Sequence, residues 1–452
     1  MNFCTFCIIA LFSGSLHAKP NIVILFADDA GYMDFGFTGT DDLKTPRIDQ
    51  LASEGVICTQ GYVTASVCSP SRAGLLTGRY QQRFGHETNL RGKDVGLPIS
   101  ERTLADRLGK FGYTSCAIGK WHLGGNEEQH PLSRGFDEFH GFLLGSRTYF
   151  SKAKKDKIDQ QSLMNGREIV PEDDNRYLTD WMAEEANTFI SSHTETPFFL
   201  YVAFNAVHTP MQSPPELLLE FPEIKNTKRQ KLAGMTLSLD LAIGSIMDTL
   251  KAEGLDENTL VFFLNDNGGA TINASNNGPL RGMKGSKWEG GIRVPYVIRW
   301  TNHLEPGRYD NAISSLDIAA TALTLAGDTK EHMSDLDGVN ILPFITQNVK
   351  GVPHDTLFWR RGPAGAVRQG DWKIIRVDDQ PPLLFNLKTD IGETINLADN
   401  QPEKVAQLLE LYDAWESGLV EPLWVAEKIW TDRQIAKHKM DVIGRDAERK
   451  IP

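Results

Sequence analysis

The chain has 452 residues and a formal net charge of −12, from 47 Lys and Arg against 59 Asp and Glu. That balance argues against nucleic-acid or anionic-membrane binding, because polyanion binders normally carry a basic footprint. The length suits one large α/β domain with a smaller satellite, and five cysteines are too few for a disulfide scaffold in so long a chain.

Residues 1–18 contain no Lys, Arg, Asp or Glu, carry an apolar run over 6–12 and end in Leu16-His17-Ala18. This pattern predicts a secretory signal peptide, since a membrane anchor needs about twenty apolar residues. The mature protein is expected to begin near Lys19, free of integral membrane association, in a periplasm or outside the cell. Cleavage leaves Cys58, Cys68 and Cys116. Whether Cys58 and Cys116 pair stays open, two buried core thiols being the plain alternative.

Along the chain, several apolar runs stop abruptly at polar residues. Residues 21–27 end at Asp28-Asp29, 114–118 at Gly119-Lys120-Trp121-His122, 198–204 at Asn205-Ala206-Val207-His208, and 260–264 at Asn265-Asp266-Asn267. Near-continuous apolar strands alternating with helical patterns predict a mostly parallel sheet covered by helices on both faces. The helical patterns fall at 100–111, 177–192, 228–250 and 314–326, and 294–300 reads as another strand. In such sheets the ligand site lies beyond the carboxyl ends of the strands, so these polar clusters are expected on one rim. After about residue 355 short strands separated by turns, then a helical run over 402–415, predict a small antiparallel sheet with a helix. The predicted organisation is a catalytic domain over 19–355, an α+β subdomain over 356–425 and a polar, extended tail over 426–452.

The most informative stretch is Cys68-Ser69-Pro70-Ser71-Arg72, followed by Leu76-Thr77-Gly78-Arg79. It reads as a helix entrance, with hydroxyls to cap free N–H groups and a proline suited to the first turn. A helix starting here aims its positive end at position 68, where an oxyanion would be stabilised. Gly74 in the apolar run after it is expected where another backbone approaches closely.

This stretch resembles the signature of type I sulfatases, of the alkaline phosphatase superfamily, and the resemblance extends from Asn21 to about Ala398. It implies that Cys68 is converted to Cα-formylglycine by a formylglycine-generating maturation enzyme and that the hydrated aldehyde attacks sulfur. It implies one calcium ion held by Asp28, Asp29, Asp266, Asn267 and residue 68, and oxygen-only ligands rich in carboxylate do suit a hard cation. Lys120 and His122 match the K-x-H element of the family. His208 and Lys284 resemble its remaining sulfate-pocket positions, with Lys287 the nearest competitor to Lys284. In the implied reaction Arg72, Lys120 and Lys284 stabilise sulfate charge and Asp266 deprotonates the hydrate. His208, assisted by Lys284, protonates the leaving oxygen, and His122 deprotonates the second hydroxyl so that sulfate departs.

The sequence context of Cys68 is similar to bacterial sulfatases acting on polysaccharides such as carrageenan or other algal galactans, so a sulfated carbohydrate is the expected substrate. Among the basic residues near the motifs (Arg79, Arg83, Arg91, Lys93, Arg147, Arg281, Lys287, Arg360 and Arg361), Arg147, Arg360 and Arg361 are the candidates for contact with sugar or a neighbouring sulfate. The alternatives are a phosphomonoester or phosphonate-ester hydrolase of the same superfamily, and a catalytically silent binding protein for sulfated glycans.

Overall fold

The computed structural model describes residues 19–90, 95–150, 162–170 and 176–440, so the expected signal peptide lies outside the described residues. At the centre of the main sheet lies the strand Asn21–Ala27, paired in parallel with Phe198–Ala203 on one side and Thr259–Asn265 on the other. Thr114–Lys120 and Glu138–Phe142 continue the parallel run beyond Phe198–Ala203. Tyr296–Arg299 pairs antiparallel with Thr259–Asn265, so the sheet is mixed toward that edge.

Both faces of the sheet are covered, and the central strand shows why its sequence reads as an unbroken apolar run. Successive side chains of a strand point to opposite faces. Ile22, Ile24 and Phe26 accordingly enter one core with Leu75, Leu76, Leu104 and Ile318, while Val23, Leu25 and Ala27 enter the other with Trp181, Ile190, Leu239 and Ile246. The helices Leu178–Ser192 and Thr227–Ala252 cover the second face; Cys68–Thr77 and Asp317–Ala326 lie on the first. Cys58 and Cys116 are free and belong to opposite cores, which separates them by the thickness of the sheet. The helix expected over 100–111 is shorter, Leu104–Leu108 with a following 3-10 turn, because Thr103 and Asp106 close a capping box that fixes its start.

Four antiparallel strands, Thr356–Arg361, Ala364–Gln369, Trp372–Val377 and Leu383–Asn386, form the second sheet. One face packs on the helix Pro402–Glu416 through Leu408 and Tyr412. The other face packs on the main domain, where Trp359 lies against Tyr62 and donates its indole N–H to the Val63 carbonyl at 2.7 Å.

Past residue 426 the chain differs from the extended tail expected from its polarity, because Lys428–Lys437 is helical. Ile435 packs against the core around Trp288 and Trp359, and the other attachments of the helix are polar, too little for an apolar stripe to read. Gln434 donates to the Arg361 carbonyl at 2.6 Å, Lys437 Nζ to the Lys284 carbonyl at 2.8 Å, and the Lys437 carbonyl accepts from Trp288 Nε1 at 2.8 Å. Among the described residues no helix is long and apolar enough to cross a membrane.

Candidate active site

The carboxyl ends of the central strands and the start of the helix Cys68–Thr77 meet at one buried cluster. Asp28 and Asp29 follow Asn21–Ala27, Lys120 closes Thr114–Lys120, and Asp266 and Asn267 follow Thr259–Asn265. Asp29 and His122, just beyond strand ends, hold left-handed backbone at φ 62° and 57°. For residues with a Cβ that conformation is sparsely populated and tends to persist where the surroundings over-determine it, often at functional sites.

Cys68 is the first residue of its helix. The hydroxyl caps expected there do not form. Asn89 Oδ1 accepts from the Ser69 N–H at 3.1 Å instead, while the Ser69 hydroxyl donates to the His122 carbonyl at 2.8 Å and lies 2.6 Å from His86 Nε2. Gly74 is required by side chains and not, as expected, by a second backbone: a Cβ there would lie 2.3 Å from Thr64 Oγ1 and 2.8 Å from Gln81 Oε1.

Three carboxylates and three cations surround Cys68. Lys284 Nζ lies 3.0 Å from the thiol and 2.6 Å from Asp29 Oδ1; Asp28 Oδ1 lies 3.7 Å from the thiol. Lys120 Nζ donates to Asp28 Oδ2, and Arg72 donates to Asp266 Oδ2 at 2.8 Å and to the Lys120 carbonyl at 2.9 Å. His208 Nε2 faces Asp29 Oδ2 at 3.5 Å, its Nδ1 lying 2.7 Å from the Thr209 carbonyl. Lys287 Nζ lies 3.5 Å from the Ser66 hydroxyl, so of the two competing lysines it is Lys284 that contacts Cys68.

Burial and charge set the protonation states. Burial pushes the Cys68 thiol up to about 12, against the pull of Lys120 and Lys284, so it stays protonated at neutral pH. Burial also opposes ionisation of Asp29, but Lys284, His208 and Lys120 outweigh it and hold that carboxyl well below its usual range. Asp266 rises to about 6 through burial and the neighbouring charge of Asp28. Burial lowers His208 to about 4 despite Asp29, and with Lys120 and Arg72 it holds His122 well below its ordinary value, so both imidazoles are neutral at physiological pH.

The cluster fits a hard cation. Asp28, Asp29, Cys68 and His208 present potential ligand atoms within 4.8 Å of one another, and the buried Asn267 Oδ1 has no hydrogen-bond partner although its amide nitrogen donates to Asp29 at 2.8 Å. A buried acceptor with no donor calls for a cation or a water.

Asp29, His208 and Lys284 open onto a cavity of about 880 Å³. Of the three basic residues singled out for substrate, Arg361 lines it. Arg360 points to the opposite face of the same strand and pairs with Glu87 and Glu416 at 2.5 and 3.5 Å. Arg147 is buried, its guanidinium 5.9 Å from the centre of the Phe142 ring. Arg79 and Arg83 pair with Glu101 and Asp337, Arg281 donates to the carbonyls of Glu393 and Met440, and Arg91 and Lys93 lie outside the described residues. Trp430, Arg433 and Lys437 of the last helix also line the cavity, and sequence reading assigned them no role.

The family model described as Sulfatase matches residues 20–328. Arylsulfatase A of Bos taurus is 34% identical over 459 residues, covering 89% of this chain and 88% of its own, and Arylsulfatase J of Mus musculus is 30% identical over 449 residues, covering 87% and 75%. The solved structure of Ps i-CgsB in complex with k-i-k-neocarrahexaose superposes with a TM-score of 0.85 at 36% identity, over 91% of this chain and 95% of that one. A mixed sheet with helices on both faces, a small antiparallel sheet beside it and this degree of likeness make the architecture alkaline-phosphatase-like. The chain belongs to the sulfatase family and is a sulfuric ester hydrolase.

Proposed function

We propose that this sulfatase hydrolyses a sulfate monoester of a carbohydrate, of the carrageenan or algal-galactan type, with residue 68 converted to formylglycine beside a bound calcium ion, in a secreted or periplasmic setting. The observation that carries the reading is the meeting of Cys68, at the first residue of a helix, with the carboxylates of Asp28, Asp29 and Asp266 and the cations of Arg72, Lys120 and Lys284. A thiol raised to about 12 is a poor nucleophile at neutral pH. Asp28, Asp29, Asp266, Asn267 and residue 68 would hold calcium, which would acidify the hydroxyl that a formylglycine hydrate at position 68 would offer as nucleophile and would offset the charge of the sulfate.

The remaining roles follow from what the side chains can do. Arg72, Lys120 and Lys284 concentrate positive charge where the leaving oxygen becomes anionic, an interaction that strengthens as the bond breaks. Asp266, buried beside Asp28 and Arg72, is the carboxylate that accepts the proton of the attacking hydroxyl. His208 faces the cavity through Nε2, which lies 3.5 Å from Asp29; an anionic substrate beside it favours uptake of a proton from solvent at Nε2, and that proton passes to the leaving oxygen, assisted by Lys284. His122, neutral and with an unpartnered Nδ1, accepts the proton of the second hydroxyl as sulfate leaves. The solved relative with a bound neocarrahexaose supports the carbohydrate class.

Parallel assays on an aryl sulfate and the matching aryl phosphate test the reaction class. A higher kcat/KM on the sulfate is expected, and preference for the phosphate would move the enzyme to the phosphoester hydrolases of the superfamily.

A further inference from the structure

Arg361 is a buried cation without a counter-charge. It ends the strand Thr356–Arg361, is 9% exposed, and lines the cavity that holds Asp29 and Lys284. Its guanidinium makes no ion pair or hydrogen bond among the described residues, and its buried Nε is without a partner. Burial pulls its ionisation down to about 10, whereas a paired arginine such as Arg229, bridging Asp34 and Asp42, is held up by its carboxylates. A buried charge is costly to leave unpaired, so an unpaired one aimed into a ligand cavity suggests that the partner arrives with the ligand.

The wall beside it carries a second guanidinium, half-buried where Arg361 is buried. Arg433, in the helix Lys428–Lys437, lines the same cavity with no carboxylate partner among the described residues, its guanidinium 4.9 Å from the centre of the Trp430 ring. Trp430 is 52% exposed and offers a flat apolar surface of the kind on which a sugar ring packs. This helix is fixed to the catalytic parts of the chain, since Gln434 donates to the Arg361 carbonyl and Lys437 to the carbonyl of Lys284. Glu427 and Asp29 also line the cavity, as do Lys284 and Lys437, so charges of both signs border it.

We infer that Arg361, Arg433 and Trp430 form a second anion subsite, which receives a sulfate carried by the sugar beside the ester that is cleaved. The enzyme thereby selects multiply sulfated oligosaccharides over singly sulfated ones. The inference rests on the sulfated-carbohydrate reading above and deepens it, because neither guanidinium is among the groups in direct contact with Cys68.

The test is calorimetric titration of the Cys68→Ala protein with two galactan oligosaccharides of equal length, carrying one and two sulfates per disaccharide. A charge-assisted contact to a second sulfate is expected to make the doubly sulfated ligand bind about tenfold tighter or more. Adding Arg433→Gln should remove most of that preference, Arg433→Lys should retain part of it, and Arg361→Gln should act as Arg433→Gln does. Should Arg361→Gln fail to fold, Arg433, on a half-exposed helix face, carries the test alone. Equal affinity of wild-type pockets for the two ligands, no binding of either, or an equal loss for both in Arg433→Gln would overturn the subsite. Turnover of a small aryl sulfate by the unsubstituted enzyme separates the two readings. Turnover without any preference removes the subsite alone, while preference without aryl sulfate turnover removes the reaction and leaves the subsite standing.

Discussion

Replacing Arg72 by methionine removes the cation at the centre of the site while keeping most of the side-chain volume. The guanidinium is fully buried, 2.8 Å from Asp266 Oδ2, 3.6 Å from Asp28 Oδ2 and 2.9 Å from the Lys120 carbonyl. Breaking a buried pair from one side leaves the other charge uncompensated and costs roughly 3–5 kcal/mol, a large part of the ~5–15 kcal/mol by which domains are stable. The pH dependence has a definite sign. Asp266 already titrates at about 6 when folded, above its ordinary 3.8, so its contribution lowers stability as pH rises between those values. Without Arg72, which opposes that rise, the folded carboxyl moves higher still, and the instability of Arg72→Met should be larger at about pH 8 than at about pH 5. Urea unfolding of the metal-free protein measures both. The double variant Arg72→Met/Asp266→Asn should be destabilised by at least ~1 kcal/mol less than the sum of its single changes, because removing both partners leaves no orphan charge. A single variant within ~0.5 kcal/mol of the parent at both pH values, or strict additivity in the double variant, would refute the reasoning.

Chelation is expected to lower both the melting temperature and the rate, with calcium restoring them. Free ion at one hundred times its dissociation constant contributes about 2.7 kcal/mol, and an unchanged melt after metal removal would count against the ligand set. His86, wholly buried and pushed down to about 3 by burial, binds a proton readily only after unfolding. Its contribution is therefore full above about pH 6.5 and lost as pH falls, by ~2 kcal/mol at about pH 5, and His86→Gln should flatten that slope in denaturant titrations. Activity on a sulfated polysaccharide should fall with ionic strength more steeply than activity on an aryl sulfate, since steering by cavity cations is screened. Equal salt dependence would remove the case for a charged cleft.

Much of the rim was legible because burial on both faces forces a strand to be apolar throughout, so the break at Asp28-Asp29 or Asp266-Asn267 marks where a strand leaves the core. What the alternation of a strand implies was also available: Arg360 and Arg361 are adjacent, hence on opposite faces, and both could not reach one cavity. Which of them does depends on how the small sheet docks on Tyr62 and Trp288, a tertiary fact that no local pattern records. The helix Lys428–Lys437 escaped for a different reason. Apart from Ile435, which packs on the core, its attachments run through Gln434, Lys437 and His438 to backbone groups, and hydrophobic periodicity is blind to hydrogen bonds. Gly74 was correctly read as a close approach, but sequence spacing cannot distinguish the side chains of Thr64 and Gln81 from a passing backbone.

The chemistry rests on residue 68, and the direct measurement is the mass of its peptide in active enzyme, taken together with specific activity across preparations converted to different extents. The expected result is a peptide in which the thiol is replaced by an aldehyde, activity proportional to the converted fraction, and a folded but inactive Cys68→Ala variant. Full activity from protein whose Cys68 thiol is intact throughout would contradict it.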